Sequence, residues 1–248
     1  MTDELIERYM AVVERTIRDI VRDEMRNIDV AAEIIAETIM NDGIIHVFGA
    51  GHSAMAGEEL FYRAGGLVPV YPVIDTDINL CHGAFTSTAM ENIAGYAKTL
   101  INRNRVQRGD TVIVVSTSGV NTFPVETAIE ARRIGAKTIA ITSKKYSGSL
   151  TPRNSYGKHL YEVVDIAIDN HVPAGDATID VPGLEVRIAP LSTIANSFIV
   201  NILVIKIVEK LISKGIKPPV WMSAHLNGSH EWNQRMAEKY RTRIHLLR

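Results

Sequence analysis

Apolar positions in the first 25 residues recur at helical spacing. Leu5, Tyr9, Val12, Val13, Thr16, Ile20 and Val21 share one side of residues 4–25, with arginines and glutamates on the other. A second helix is predicted over residues 29–40, stopped by Gly43 after Asn41-Asp42. The pattern then changes to short β-branched runs at residues 44–48, 67–74, 111–115, 137–141 and 163–168, which read as five strands. Helices are predicted between them at residues 54–64, 89–104 and 124–134, while the connection 142–161 reads mostly as loop.

Strands that are apolar at every position are buried on both faces, so helices must cover both sides. The expected fold class is α/β: a three-layer α-β-α arrangement around a doubly wound, five-stranded parallel sheet, preceded by an N-terminal helical arm. Such sheets take ligands at the carboxyl ends of their strands, where the winding reverses.

After the fifth strand, residues 171–190 are rich in Gly and Pro, with a hairpin signal around Pro182-Gly183 and a position from which they could cover a ligand. A long apolar helix is predicted over 192–213, then a polar loop over 217–229 and a charged helix over 230–241. The apolar run 194–208 is interrupted by Asn196, Ser197, Asn201 and Lys206, and falls short of the roughly 20 residues a membrane span needs. It reads as a buried helix. No repeat or linker divides the chain, so one domain is expected over 1–248, with an arm (1–42), a core (43–214) and a C-terminal loop and helix (215–248).

The chain has 248 residues, 46% hydrophobic and 22% charged, which is an ordinary globular balance. A net charge of -1 without a dense basic run offers no footprint for nucleic acid or an acidic membrane surface. The N-terminal arm lacks the basic face of a DNA reader and is read as a packing or dimer arm. Cys81 is the one cysteine, so neither an internal disulfide nor a cysteine-rich metal site is available. With an acidic start in place of a signal peptide, the expected location is cytoplasmic.

Two loops carry the chemistry. The first, Phe48-Gly49-Ala50-Gly51-His52-Ser53, lies between a predicted strand and a predicted helix. Gly49 and Gly51 permit close backbone approach, and Ser53 can cap a helix whose free N–H groups and dipole favour an anion. A dinucleotide fingerprint would want a third glycine near Ala54, and Val73-Ile74-Asp75 suits its acidic position only in part. The second loop, Ser116-Thr117-Ser118-Gly119-Val120-Asn121-Thr122, precedes a helix with Pro124 in its first turn. Hydroxyls and amides at a helix start suit a small phosphate ester, and the absence of a lysine after the glycine argues against a triphosphate.

A Gly-x-Gly-x-Ser turn after the first strand and a Ser-x-Ser-Gly turn after the third are the signatures of the sugar isomerase (SIS) domain family, which this chain resembles. Within it the chain resembles a phosphoheptose-isomerase-like group, through the run from Glu58 to Gly66 and the ending from Asn233 to Ile244. The resemblance implies a sugar phosphate or amino-sugar phosphate ligand and a homodimer or homotetramer. Ser53, Ser116 and Ser118 would hold the phosphate, with Gly49, Gly51, His52, Thr117 and Gly119 around it. A further hydroxyl position of the family is Asn121 here, beside Thr122. Its heptose isomerases place a metal-binding histidine where this chain has Glu59, and a glutamate where it has Arg63, so neither a metal nor another cofactor is expected. Muramic acid phosphate etherases carry their acid at the position of Arg63.

Aldose–ketose isomerisation needs a base between adjacent carbons and an acid to open the ring. Glu59, six residues past Ser53, is the candidate base, with Glu58 facing elsewhere. His82 is the second catalytic candidate, ahead of Glu91; both flank the loop after the second strand. Ser192, with Thr193, opens the long apolar helix and offers another anion-friendly start. His225 and His230 suit a surface or helix-cap role, and His46 and His52 call for no metal. The expected activity is sugar phosphate isomerisation; the alternatives are a non-catalytic phosphosugar sensor and an amino-sugar phosphate lyase or etherase.

Overall fold

The structure, a computed structural model, describes residues 2–248, with side chains from Glu4 onward. The two helices predicted at the N-terminus are one, α1 (Thr2–Met40). Nothing between Met25 and Asp29 breaks a helix, and Ile20, Ile28, Ala31, Ala32, Ile35, Ala36 and Ile39 form one continuous buried stripe.

The chain continues through β1 (Ile45–Gly49), α2 (Met55–Leu60), β2 (Val70–Pro72), α3 (Ala84–Met90), α4 (Tyr96–Arg103), β3 (Thr111–Val115), α5 (Thr122–Ile134) and β4 (Lys137–Thr142). It ends with α6 (Lys144–Gly148), β5 (Ile166–Asp169), β6 (Ala177–Ile179), β7 (Ile188–Pro190), α7 (Ser192–Ser213) and α8 (Ser229–Tyr240). Strands β1 to β5 form the expected parallel sheet in the order β2-β1-β3-β4-β5. From β1 the chain moves outward to β2 and then returns to β3 on the other side, so the winding reverses between β1 and β3.

Side-chain alternation divides the core between two faces. Ile45, Val47, Ile113, Val115, Ile139 and Ile141 pack with α1, α2 and α7. Phe48, Val112, Val114 and Ala140 pack with α4, α5 and the C-terminal region. Among the described residues, no helix is long and apolar enough to cross a membrane.

Several elements differ from their predicted extents. Only Val70–Pro72 of the second predicted strand pairs; Leu67 makes an isolated antiparallel bridge with Val220 instead. Pro72 has no N–H to donate on the side away from β1, which confines this strand to the sheet edge. The helix predicted at 89–104 is split into α3 and α4, with Gly95 at φ 85° just before α4. The helix predicted at 54–64 starts with a 3-10 turn and stops at Leu60, where Phe61 turns extended and Tyr62 takes φ 44°. The 142–161 connection contains α6. The hairpin around Pro182-Gly183 is present as β6 and β7, and it leans on α1, where the Tyr9 hydroxyl donates to the Pro190 carbonyl at 3.0 Å.

Asp110, just before β3, ties three regions together at the amino-terminal edge of the sheet. Its carboxylate accepts from the Ile44 N–H at 2.9 Å, the Gln107 N–H at 2.8 Å, Arg243 at 2.7 Å and the His46 ring at 3.3 Å. Burial pushes Asp110 up, but its hydrogen bonds outweigh this and hold it below the usual carboxylate value. Burial holds His46 below its ordinary value, so it is neutral at pH 7. Its ring stacks on Tyr71, whose hydroxyl hydrogen-bonds His245. The C-terminal tail is thus pinned to the sheet twice.

Replacing Asp110 with Ala is expected to destabilise the chain by roughly 3 kcal/mol, since it strands buried donors and the Arg243 charge; urea unfolding measures this. His46, with its depressed folded value, contributes stability that is present above about pH 6.5 and declines as pH falls below it. Asp110 adds a further loss below about pH 4. Unfolding midpoints measured against pH should fall in both windows, and His46→Gln should flatten the first.

Candidate functional site

Gly49 pairs with Val115, so β1 and β3 end side by side, about 4.8 Å apart. The two polar loops leave from these adjacent ends, at the reversal point. Their shapes depend on three glycines. A Cβ on Gly49 would lie 2.4 Å from the Ser53 carbonyl carbon and 2.6 Å from the Ala54 nitrogen, so only glycine lets the first loop fold onto itself. Gly51 takes φ 53°, and its N–H donates to the Ile78 carbonyl at 3.0 Å. Gly119 takes φ 59°, with Thr142 Oγ1 2.8 Å from where its Cβ would be.

Within the second loop, the buried Ser116 donates its N–H to Ile141 and accepts the Gly119 N–H on its hydroxyl at 3.2 Å. Its oxygen shapes the turn as well as facing it. Thr117 accepts the Ser143 N–H on its carbonyl at 3.1 Å, and Asn170 donates to its hydroxyl at 3.5 Å. The same Asn170 amide donates to Asn196 of α7 at 2.9 Å, linking the loop to that helix. Among the described residues, the hydroxyls of Ser53 and Ser118 and the N–H groups of Thr117 and Ser118 make no hydrogen bond within the chain. These uncommitted donors, in the loops that lead into α2 and α5, are what an anion needs. Thr122 is buried and turns away, donating to the Arg153 carbonyl at 3.3 Å.

Residues 75–95 fold against the first loop. Asp75 organises them: it accepts from the N–H groups of Asp77 and Ile78, from the Tyr96 hydroxyl at 2.5 Å and from Arg103 at 3.0 Å. Although burial pushes its carboxyl up, these bonds hold it below the usual range. This residue, considered in sequence only for a nucleotide, holds the turn. Ser87 of α3 reinforces it, donating to the Ile78 carbonyl at 2.6 Å.

The carboxyl groups differ in placement. Glu91 reaches the second loop: its carbonyl accepts the Phe123 N–H at 2.9 Å, and its side chain lies near Asn121. Burial pushes the Glu91 carboxyl up, and Asn121 only partly reverses this. Glu59 lies in the seam between α2 and α7, ion-paired with Arg63 and accepting from Asn201 at 2.8 Å. His82 is exposed, its ring 2.7 Å from Asp77. Ser192 donates its N–H and its hydroxyl to Asp176, each at 2.7 Å, so the start of α7 already carries a carboxylate. His52, Glu58, His225 and His230 are exposed.

A zinc ion does not fit the α2–α7 seam. Tetrahedral zinc takes imidazole, thiolate or carboxylate ligands. Here the seam offers one carboxylate already paired with a guanidinium, plus a neutral amide.

The SIS domain matches residues 8–143. A UPF0309 protein from Geobacillus thermodenitrificans is 39% identical over 243 residues, covering 98% of each chain. Two solved structures share the fold. A phosphoheptose isomerase from Francisella tularensis superposes with a TM-score of 0.55 at 19% identity, over 84% of this chain and 99% of that one. One from Neisseria gonorrhoeae gives 0.54 at 18% identity, over 86% and 100%.

Replacing Gly119 with Ala is expected to lower stability by about 1–3 kcal/mol through its positive φ, with a further loss from the clash with Thr142. Gly183, at φ 84° with nothing within 4 Å of a Cβ, carries the strain without the clash. Thermal unfolding should therefore show Gly119→Ala to be more destabilised than Gly183→Ala.

Proposed function

We propose, starting from a chain that belongs to the SIS-domain family, that it binds a sugar phosphate or amino-sugar phosphate and interconverts its aldose and ketose forms. What carries this reading is the convergence of the two loops at the β1–β3 reversal, where the Ser53 and Ser118 hydroxyls and the Thr117 and Ser118 N–H groups are uncommitted. Such donors fit a dianionic ester gripped by neutral groups and a helix N-terminus. Ser116 supports the turn and adds its own hydroxyl. The ligand is then aligned with its ester between the loops and its carbon chain directed along α2.

Isomerisation moves one proton between C1 and C2 and another between their oxygens. Glu59 is assigned the carbon proton: the start of α2 and the seam to α7 set it about 9 Å along the helix from Ser53, a sugar's length away. Asn201 fixes the direction of its carboxyl. Glu91 is assigned the ring-opening proton, because it lies against the second loop and burial raises its carboxyl above the ordinary value, the direction an acid needs. His82, paired with Asp77, is kept as an assisting group on the same side of the sheet.

The Arg63–Glu59 ion pair favours a second reading, a sensor that holds the sugar phosphate without converting it, since it engages the assigned base in the free protein.

Solvent deuterium exchange separates the two readings. In deuterated buffer, the isomerase incorporates deuterium at C2 of its substrate, and a sensor binds without exchange. Glu91→Gln should retain binding while lowering turnover by about 10²–10⁴-fold. The Ser116→Ala, Ser118→Ala double variant should weaken binding by one to two orders of magnitude, each lost hydrogen bond to a charged group being worth about 1.5 kcal/mol or more. Calorimetric titration with a panel of hexose, heptose and amino-sugar phosphates measures it; unchanged affinity removes the loops from the site.

A further inference from the structure

A cleft lies at the edge of the sheet opposite the two polar loops. It has a volume of about 500 Å³ and opens between α8, the chain following α2 and the C-terminal tail. Residues 65–68, which precede β2, hydrogen-bond to Pro219 and Trp221 beside it. This is the amino-terminal edge, about 17 Å along a five-residue strand from the anion loops.

One wall is aromatic. Trp221 is 3% exposed, and Tyr62 stands edge-on to it with ring centroids 4.9 Å apart. Tyr62 is 64% exposed and sits at φ 44°, a region that disfavours bulky side chains. The backbone thus holds an aromatic ring out at the mouth of the cleft. The facing wall is Leu246 and Leu247 of the tail, which the Arg243–Asp110 and His245–Tyr71 contacts pin in place. Both walls are set by the fold.

The remaining lining is polar. His230 lies in the first turn of α8, beside Glu231, which does not line the cleft; free N–H groups and the helix dipole there favour negative charge, and Arg248 also lines the cleft. No acidic side chain lines the cleft among the described residues. Its volume falls within the range of small-molecule sites, which combine apolar walls with a few convergent polar groups.

We propose that this cleft binds a planar aromatic ligand carrying an anionic group, of the size and chemistry of a nucleoside monophosphate. The ring packs against Tyr62 and Trp221, and the anion sits at the start of α8 between His230 and Arg248. The site is separate from the sugar phosphate loops and does not depend on them.

Adenosine 5′-monophosphate is the probe. With Trp232→Phe in the full chain, emission comes from Trp221 alone, and saturable quenching on titration is expected; calorimetry on the unsubstituted chain repeats the measurement. Tyr62→Gly removes the ring while glycine accepts the positive φ, so the fold is kept, and it should weaken binding at least tenfold, as should Arg248→Ala. The Ser116→Ala, Ser118→Ala variant should bind the probe as the parent does. Absence of saturable binding overturns the proposal. So does binding that survives Tyr62→Gly and Arg248→Ala but is lost in the double serine variant, which would put the phosphate in the anion loops.

Discussion

The parallel pairing of β1 with β3 is the constraint on which the site rests. Ending at Gly49 and Val115 in register, the two strands release their loops at adjacent positions, although 65 residues of chain lie between them. Each loop is then bent by a glycine that cannot carry a side chain, and each runs into a helix on a different face of the sheet. The proposed anion site would therefore be built by topology, with the side chains supplying only the final contacts. That division suits a ligand whose recognised end is a phosphate, since backbone N–H groups and helix starts bind it without a charged side chain.

At the other edge, Asp110 has the corresponding role for the C-terminal region. It joins the start of β1, the turn before β3 and Arg243 of the tail through one buried carboxylate. A carboxylate in this setting is tolerated because nearly all of its acceptor capacity is used. Removing one partner would leave the others facing a desolvated charge, so the group behaves as a unit. The sheet thus carries polar organisation at both ends with apolar layers between them.

Much of the sheet was legible in sequence because residues 44–48, 111–115 and 137–141 are uninterrupted apolar runs, a pattern that buried parallel strands require. Both loops were legible because their glycines and hydroxyls sit directly at strand ends. The single N-terminal helix was misread as two because its apolar stripe thins around Arg26 and Asn27, although no residue there stops a helix. The break before α4 was missed because Gly95 acts through its left-handed backbone, which an otherwise helical pattern hides. Asp110, Asp75 and the Asn170–Asn196 link had no local signature: their partners lie up to 133 residues away and meet only once the sheet is assembled.

The outer side of β2 bears on how copies of this chain can meet. A strand that joins another sheet must offer alternating N–H donors along its outer side; there Pro72 has none, and the Val70 N–H is already given to the Val68 carbonyl at 2.8 Å. Edge-to-edge sheet extension at that border therefore lacks free donors from β2. Self-association there has to proceed through side-chain surfaces, leaving the geometry of the strands, and with it the spacing of the loops, undisturbed.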